Sequence, residues 1–437
     1  MNSLPKLKLV ILLIGDILCM YVSLIVMLLV RFRTAFSREL LQYHLLPFSI
    51  LFVIWLMFFY IAGLYDFKNL KNKLEFKINF SFVMLINFLF AIMFFYIFTI
   101  FGVSPKTNLL LFFVLFGIVN YSWRHVYNIV ITRLTPMGIT ILGRNKDEES
   151  LINYINNNPQ LGYRIKHVVE RIGADFEKAI SDTDILVIPD YTKKDKSAIK
   201  HIYNLVLKGL IIKDVSSFYE EIFGKIPLSE LEESWFIENL ASQHRFFDSI
   251  KRPVEFVLSI VLLMLFLPLI AIIALIIRIT SPGNIIYRQK RVGKNERVFT
   301  LYKFRTMVQN AEDDGPKWAE EDDNRITPIG GFLRKTHLDE LPQLINVIKG
   351  DLSFVGPRPE RPEFVEYLKN KIPYYEVRHI VKPGITGWAQ INYKYASSID
   401  ETYEKLQFDL YYIKNRSLIL DMLILLKTLK TLFVSPK

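Results

Sequence analysis

A chain of 437 residues exceeds what one hydrophobic core usually organises, so two or three domains are expected. With 51% hydrophobic and 14% aromatic residues and a mean hydropathy of +0.25, it is too apolar to be wholly water-soluble, yet 22% of its residues are charged. The formal charge of +11 suits nucleic acid, anionic lipid or phosphorylated ligands, and the single cysteine, Cys19, excludes an intramolecular disulfide, a cysteine zinc cluster and thiol redox chemistry.

Lys6 and Lys8 precede an apolar run that is too long for a cleaved leader and has no small-residue cleavage site, so it reads as a retained anchor. Four apolar runs, 9–30, 45–64, 78–101 and 109–131, each approach the ~20 residues that span hydrocarbon and predict four transmembrane helices in a region 1–134. Asp16, Arg124 and His125 fall inside these runs; intramembrane ionisable groups point to function or, equally, to helix pairing or snorkelling. Lys6 and Lys8, with Lys68, Lys71, Lys73 and Lys77 between the second and third runs, place those sides in the cytoplasm, against an outer-loop trio of Arg31, Arg33 and Arg38.

Residues 135–245 alternate short apolar strands with polar helical stretches, which predicts an α/β domain with a largely parallel sheet. Its first strand ends Leu142-Gly143-Arg144-Asn145, where a dinucleotide-binding fold would carry a glycine-rich turn, and only one glycine is present. The domain reads as degenerate and Rossmann-like, serving structure or association, including association into a homodimer, rather than nucleotide binding.

The run 256–277 is uncharged and long enough to span, but Pro268 interrupts it, and basic residues flank both ends: Lys251 and Arg252 before it, Arg278, Arg288, Lys290 and Arg291 after it. A re-entrant hairpin over 251–279, bent at Pro268, keeps both ends cytoplasmic. A kinked fifth crossing with the opposite topology is the alternative. Residues 246–437 then form a mainly α-helical domain, closed by an apolar helix over 418–434 that packs on the domain or the membrane surface.

Within this domain Pro342 can start a helix and Gly350 can end it, placing Asp339 and Glu340 at a helix start. Thr336-x-x-Asp339 also fits a capping box, which needs no catalytic duty. Cations gather around the pair in turn-rich sequence: Lys303 and Arg305, Arg325, Arg334 and Lys335, and Arg358 and Arg361, with prolines on either side of Arg358 to stiffen a guanidinium suited to bidentate phosphate binding. Two carboxylates amid cations predict phosphoryl-group transfer, one attacking phosphorus and the other holding a divalent metal.

Six stretches carry a resemblance: 303–307 (KFRTM), 325–327 (RIT), 333–335 (LRK), 338–344 (LDELPQL), 355–359 (VGPRP) and 382–392 (KPGITGWAQIN). In order and spacing they resemble the bacterial sugar transferases, the polyprenyl-phosphate hexose-1-phosphate transferases that start exopolysaccharide, capsule and O-antigen assembly. The four helices and the α/β domain ahead of them resemble the family's long form. The resemblance implies that Asp339 attacks the β-phosphorus of a UDP-sugar, releasing UMP, and that undecaprenyl phosphate then takes the sugar phosphate from the enzyme. It implies Mg²⁺ on Glu340, phosphate contacts from Lys303, Arg305, Arg334 and Arg358, and a re-entrant helix broken at Pro268 and anchored by Lys251 and Arg252, in a multi-pass protein of the bacterial inner membrane whose catalytic domain faces the cytoplasm. Nucleic acid is not among the expected partners. Where the family often has Gly-Arg after Gln-Ile-Asn, this chain has Tyr393-Lys394, so Lys394 would supply that contact as a point charge. His337 reads as a packing or solvent-facing residue, and Asp409 and Asp421 as caps or lysine partners. A membrane scaffold with an inactive transferase domain is a second reading, opposed by intact Asp339, Glu340 and Arg358; a transporter of lipid-linked sugars lacks the paired repeats that such folds carry.

Overall fold

The computed structural model describes residues 4–65, 74–98, 105–133, 136–173, 176, 179–207, 209–240, 245–308, 325–393 and 398–434. Lys394 and the loop lysines Lys68, Lys71 and Lys73 lie outside the described residues. The chain divides into two compact units, Met1–Val215 and Ser216–Lys437.

The first unit opens with four long helices, α1 (Leu4–Phe32), α2 (Arg38–Ile61), α3 (Leu74–Ile97) and α4 (Pro105–Arg133). Their inner faces meet through aromatic rings: Phe112 stacks on Phe52 at 5.5 Å and on Phe116 at 5.8 Å, with Trp55 alongside. Their outer faces expose leucine, isoleucine, valine and phenylalanine, a surface that hydrocarbon covers. Among the described residues five helices are long and apolar enough to cross a membrane, the fifth being in the second unit. Asp16 and Arg124 point inward and satisfy one another: Arg124 Nη2 meets Asp16 Oδ2 at 2.5 Å, Tyr65 and Asn120 donate to the same carboxylate at 2.6 and 2.8 Å, and Arg124 Nη1 donates to the Leu64 carbonyl at 2.9 Å. This is helix pairing, since the charges are used up on each other.

A four-stranded parallel sheet follows, in the order β2-β1-β3-β4, from β1 (Met137–Leu142), β2 (Tyr163–Val169), β3 (Ile185–Ile188) and β4 (Ile211–Asp214). Helices α5 (Lys146–Asn157) and α6 (Lys196–Leu207) connect its strands. β1 leaves the sheet through Gly143 in a left-handed turn (φ 95°), the place where a dinucleotide fold sets a phosphate. Here Glu148 fills it: its carboxylate accepts from the Asn145 amide at 3.0 Å, and a Cβ on Gly143 would meet Glu148 Oε1 at 3.2 Å and Pro189 at 3.1 Å. A carboxyl supplied by the chain itself, which burial pushes above its ordinary range, stands at the start of α5.

The second unit starts with α7 (Val215–Phe223) and α8 (Glu233–Leu240), and Ile226, Leu228 and Leu231 between them join the core formed by Val355, Leu368, Tyr375, Leu406 and Leu410. The long apolar helix α9 (Arg245–Thr280) runs through Pro253 and Pro268. After it come an antiparallel hairpin, β5 (Ile286–Val292) with β6 (Val298–Phe304), then α10 (Pro328–Lys335), α11 (Gln343–Lys349), β7 (Ser353–Val355), α12 (Pro362–Lys369), β8 (Gly384–Thr386), α13 (Trp388–Asn392), α14 (Ile399–Asn415) and α15 (Leu418–Val434). The unit is mainly helical, as expected. β7 and β8 pair in parallel so closely that a Cβ on Gly384 would collide with the Gly356 amide, which is why both positions are glycine.

The root of α9 is plugged into this unit. Arg252 donates to the Val347 and Ile348 carbonyls at 2.5 and 2.8 Å, capping α11, while Lys251 donates to the Val355 carbonyl at 2.8 Å and pairs with Asp421 at 2.8 Å. Asp421 is thus a lysine partner. Its far end packs by Ile273 and Ile277 against Phe304 and Leu333, in a cluster that also holds Leu338 and Leu341.

Candidate functional site

A change of chain direction presents the acidic pair. α10 begins at Thr327, whose hydroxyl accepts from the Gly330 amide at 3.1 Å, and gives way at Thr336. His337 then takes a left-handed conformation (φ 54°), which a side-chain-bearing residue adopts at a cost. One tight turn, Leu338–Glu340, leads through Pro342 into α11, which left-handed Gly350 (φ 89°) ends. The helix between Pro342 and Gly350 is the one expected. The capping box is not realised, because the Thr336 hydroxyl donates back to the Phe332 carbonyl at 2.9 Å.

Lys303, near the end of β6, donates to Glu340 Oε1 at 2.7 Å, and Arg358 Nη2 donates to the same oxygen at 3.1 Å. Asp339 is more loosely held: its Oδ2 lies 4.0 Å from Lys303 Nζ, and no hydrogen bond to its carboxylate is found among the described residues. Both side chains are nearly buried, Asp339 at 10% and Glu340 at 11% exposure. Burial pushes the Asp339 carboxyl above its ordinary range, with Lys303 offsetting part of the effect. Burial would raise Glu340 too, but Lys303 and Arg358 outweigh it and hold that carboxyl far below the usual range. Adjacent in sequence, the two acids are pushed in opposite directions.

Arg358 is fixed from behind. Arg378 Nη2 donates to the Arg358 carbonyl at 2.8 Å and pairs with Asp409 at 2.9 Å, while Arg378 Nη1 donates to the Tyr375 hydroxyl at 2.7 Å. One residue on, Arg291 Nη1 donates to the Pro359 carbonyl at 2.9 Å, and Glu360 pairs with Lys405 at 2.8 Å. Burial would raise the Glu360 carboxyl, yet Lys405, Arg378 and Arg291 hold it at about 2. A shallow cavity opens beside this loop, walled by Gly293, Pro357, Pro359 and His379, whose imidazole burial keeps neutral by lowering its pKa to about 4.

The residues expected from sequence divide into three groups. Asp339, Glu340, Lys303 and Arg358 come together. Arg334, on α10, is held by a different partner, its Nε donating to the Thr306 hydroxyl at 2.9 Å. Arg305 does not join: it turns away, its two amino groups donating to the Pro282 and Ser281 carbonyls at 2.6 and 2.8 Å, so it closes the end of α9. Nothing in the local sequence of Arg378, Asp409 or Arg291 marks an ion pair or a guanidinium buried against a loop carbonyl. Asp409 is neither a cap nor a lysine partner but the ion-pair partner of Arg378.

For a divalent cation the donor set is small but of the right kind. Asp339 and Glu340 offer hard oxygens, and the described residues contain no cluster of three or more potential ligands. Mg²⁺ binds in that manner when substrate phosphates and water complete its shell.

Comparison with known proteins adds what geometry cannot. A bacterial sugar transferase family model matches residues 246–435. Over 221 residues the chain is 44% identical to a UDP-N-acetylgalactosamine-undecaprenyl-phosphate N-acetylgalactosaminephosphotransferase of Aeromonas hydrophila, covering 51% of each protein. Over 248 residues it is 36% identical to a UDP-glucose:undecaprenyl-phosphate glucose-1-phosphate transferase of Escherichia coli, covering 55% of this chain and 52% of the relative. Over 189 residues it is 37% identical to a protein of the same name from Caulobacter vibrioides, covering 42% of this chain and 70% of the relative. The chain thus spans about half the length of the Aeromonas and Escherichia relatives.

Proposed function

We propose that this chain, which belongs to the bacterial sugar transferase family, transfers a hexose 1-phosphate from a UDP-sugar to undecaprenyl phosphate. An Asp339 carboxylate oxygen attacks the β-phosphorus; the bond from that phosphorus to the bridging oxygen breaks, and UMP leaves with the electron pair. The sugar phosphate is then held on Asp339 until an oxygen of the lipid phosphate attacks the same phosphorus, forming the lipid diphosphate sugar and freeing the carboxylate. Lys303, Arg358 and Arg334 bind phosphate oxygens and stabilise the charge that builds on them. Glu340, with Asp339 beside it, would hold Mg²⁺, which neutralises diphosphate charge when bound.

One observation carries the division of labour: Glu340 is tied to two cations at 2.7 and 3.1 Å, whereas the Asp339 carboxylate stays 4.0 Å from its nearest one. Of the two acids, Asp339 is the one whose carboxylate no hydrogen bond restrains among the described residues.

Anchoring of this chemistry at the cytoplasmic face of the inner membrane, with α9 re-entrant, is part of the same proposal. Its support is that both ends of α9 rest on one domain. A straight helix would separate Arg252 from Ile273 by roughly 30 Å, whereas their respective neighbours Val347 and Leu341 are within roughly 10 Å along the chain's own helical rise. The bend itself is assigned to Pro268, which removes a backbone hydrogen bond within the run Arg245–Thr280. The α/β domain is proposed to be a degenerate Rossmann-like module with a homodimer contact as its role, and surface-polysaccharide assembly is the proposed pathway.

The test is product analysis with the full chain in native membranes, offering a panel of UDP-sugars with and without polyprenyl phosphate and Mg²⁺. UMP, not UDP, is the expected product, with net turnover only when the lipid phosphate is present. Activity confined to non-uridine donors, or release of UDP, would overturn it.

A further inference from the structure

Glu340 stands where a phosphate oxygen is wanted. Lys303 and Arg358 converge on its single Oε1 at 2.7 and 3.1 Å, as two cations converge on a non-bridging phosphate oxygen. Neither cation is placed there by chance flexibility. Lys303 belongs to the β5-β6 ladder, where it pairs with Tyr287, and Arg358 sits between two prolines on a loop whose carbonyls Arg378 and Arg291 grip at 2.8 and 2.9 Å. The heads of both side chains are aimed at one point before any ligand arrives. That point is filled by a nearly buried carboxylate of the protein.

An incoming diphosphate therefore meets a conflict. It needs these two cations, and it meets the negative charge that already holds them, in surroundings where water screens little. A divalent cation on Glu340 removes the conflict by satisfying the carboxylate from the other side. We propose that Glu340 is an internal stand-in for a donor phosphate oxygen: it holds Lys303 and Arg358 in the resting protein and yields them to a nucleoside diphosphate when a divalent cation takes the carboxylate. Metal and nucleotide then bind as a coupled pair, each strengthening the other by the same factor. This rests on the reading of the site as a UDP-sugar site.

The stand-in and an ordinary metal ligand differ in one outcome. Glu340→Gln keeps the shape and removes the charge, so Lys303 and Arg358 lose the carboxylate on which they converge. If Glu340 only held metal, that change would weaken nucleotide binding with Mg²⁺ and leave metal-free binding alone. If it stands in for phosphate, metal-free binding becomes tighter.

The experiment is calorimetric titration of UDP, which has no sugar to transfer, into the full chain in detergent, in MgCl₂ and in EDTA. Wild type is expected to bind UDP at least about tenfold more tightly with Mg²⁺, and Glu340→Gln in EDTA at least about tenfold more tightly than wild type in EDTA, with Mg²⁺ changing the variant by less than about twofold. A variant no tighter than wild type in EDTA overturns the proposal. Should the variant fail to fold, Glu340→Ala in EDTA takes its place with the same expectation, and Mg²⁺ altering wild-type UDP affinity by less than about twofold overturns the proposal equally. UDP binding without these effects removes the stand-in alone; no UDP binding under either condition removes the donor reading with it.

Discussion

Arg378 touches Asp409 at 2.9 Å and the Arg358 carbonyl at 2.8 Å with the same amino group, and both partners of the ion pair are only 3% exposed. A buried ion pair outside every recognised motif is therefore wired to the backbone of the arginine that faces Glu340. Asp409→Ala leaves a buried guanidinium without its counter-charge and is expected to cost about 3–5 kcal/mol of stability, read by denaturant melts. Arg378→Lys keeps the charge but cannot serve the carboxylate, the hydroxyl and the carbonyl together. It is expected to raise KM for the UDP-sugar about tenfold with a smaller change in kcat, a split that a general loss of fold would not produce.

His337 holds φ 54° two residues before Asp339. Glycine accepts that backbone freely and a β-branched residue resists it. His337→Gly should keep UMP release within about threefold of wild type, whereas His337→Val should lose about 1–2 kcal/mol of stability together with most activity. Equal loss in both variants would assign the role to the imidazole instead of the backbone.

Arg305 and Arg358 look alike in sequence, each flanked by recognisable motif residues, but only one faces the acidic pair. Arg305→Lys is expected to lower the melting temperature by several degrees, since two carbonyls at the end of α9 lose a bidentate donor. Its KM for the donor should stay near wild type. Arg358→Lys should do the reverse, because it removes a fork that reaches Glu340 at 3.1 Å.

Glu360 gives the fold a defined acid sensitivity. Its folded pKa of about 2 lies below the ordinary value of 4.5, so its contribution to stability is complete above the unfolded value and is lost as pH falls through the folded one. Between about pH 4 and pH 2 the second unit should lose on the order of 3 kcal/mol from this carboxylate. Glu360→Gln should be less stable at neutral pH and should show a flatter melting profile across that window, measured by circular dichroism in detergent.

Periodicity and length made the membrane helices and the parallel sheet legible, because twenty apolar residues and alternating strands leave few choices of environment. The helix between Pro342 and Gly350 was legible from its end residues. Around the acidic pair, charge clustering in stiff turns identified Lys303 and Arg358, but the same rule also admitted Arg305. A guanidinium aimed at Glu340 and one aimed at a helix end can both lie in cation-rich motif sequence, and tertiary packing separates them. The buried support from Arg378, Asp409 and Arg291 was invisible for the same reason, and the left-handed backbone of His337 has no mark other than histidine's mild tolerance of that region. Glu148 shows the converse: its bond to the Asn145 amide is a capping box at the start of α5, and its place beside Gly143 and Pro189 became visible only in three dimensions.

Intact-protein mass spectrometry decides whether Asp339 forms a bond to phosphorus. Wild type incubated with a UDP-sugar and Mg²⁺, without lipid acceptor, should gain the mass of one hexose phosphate, release a matching amount of UMP and discharge the adduct when polyprenyl phosphate is added. Asp339→Asn should show no adduct and no UMP, and Glu340→Gln an impaired rate at an unchanged site of attachment. An adduct of the same mass on Asp339→Asn, or normal turnover by that variant, would contradict the account.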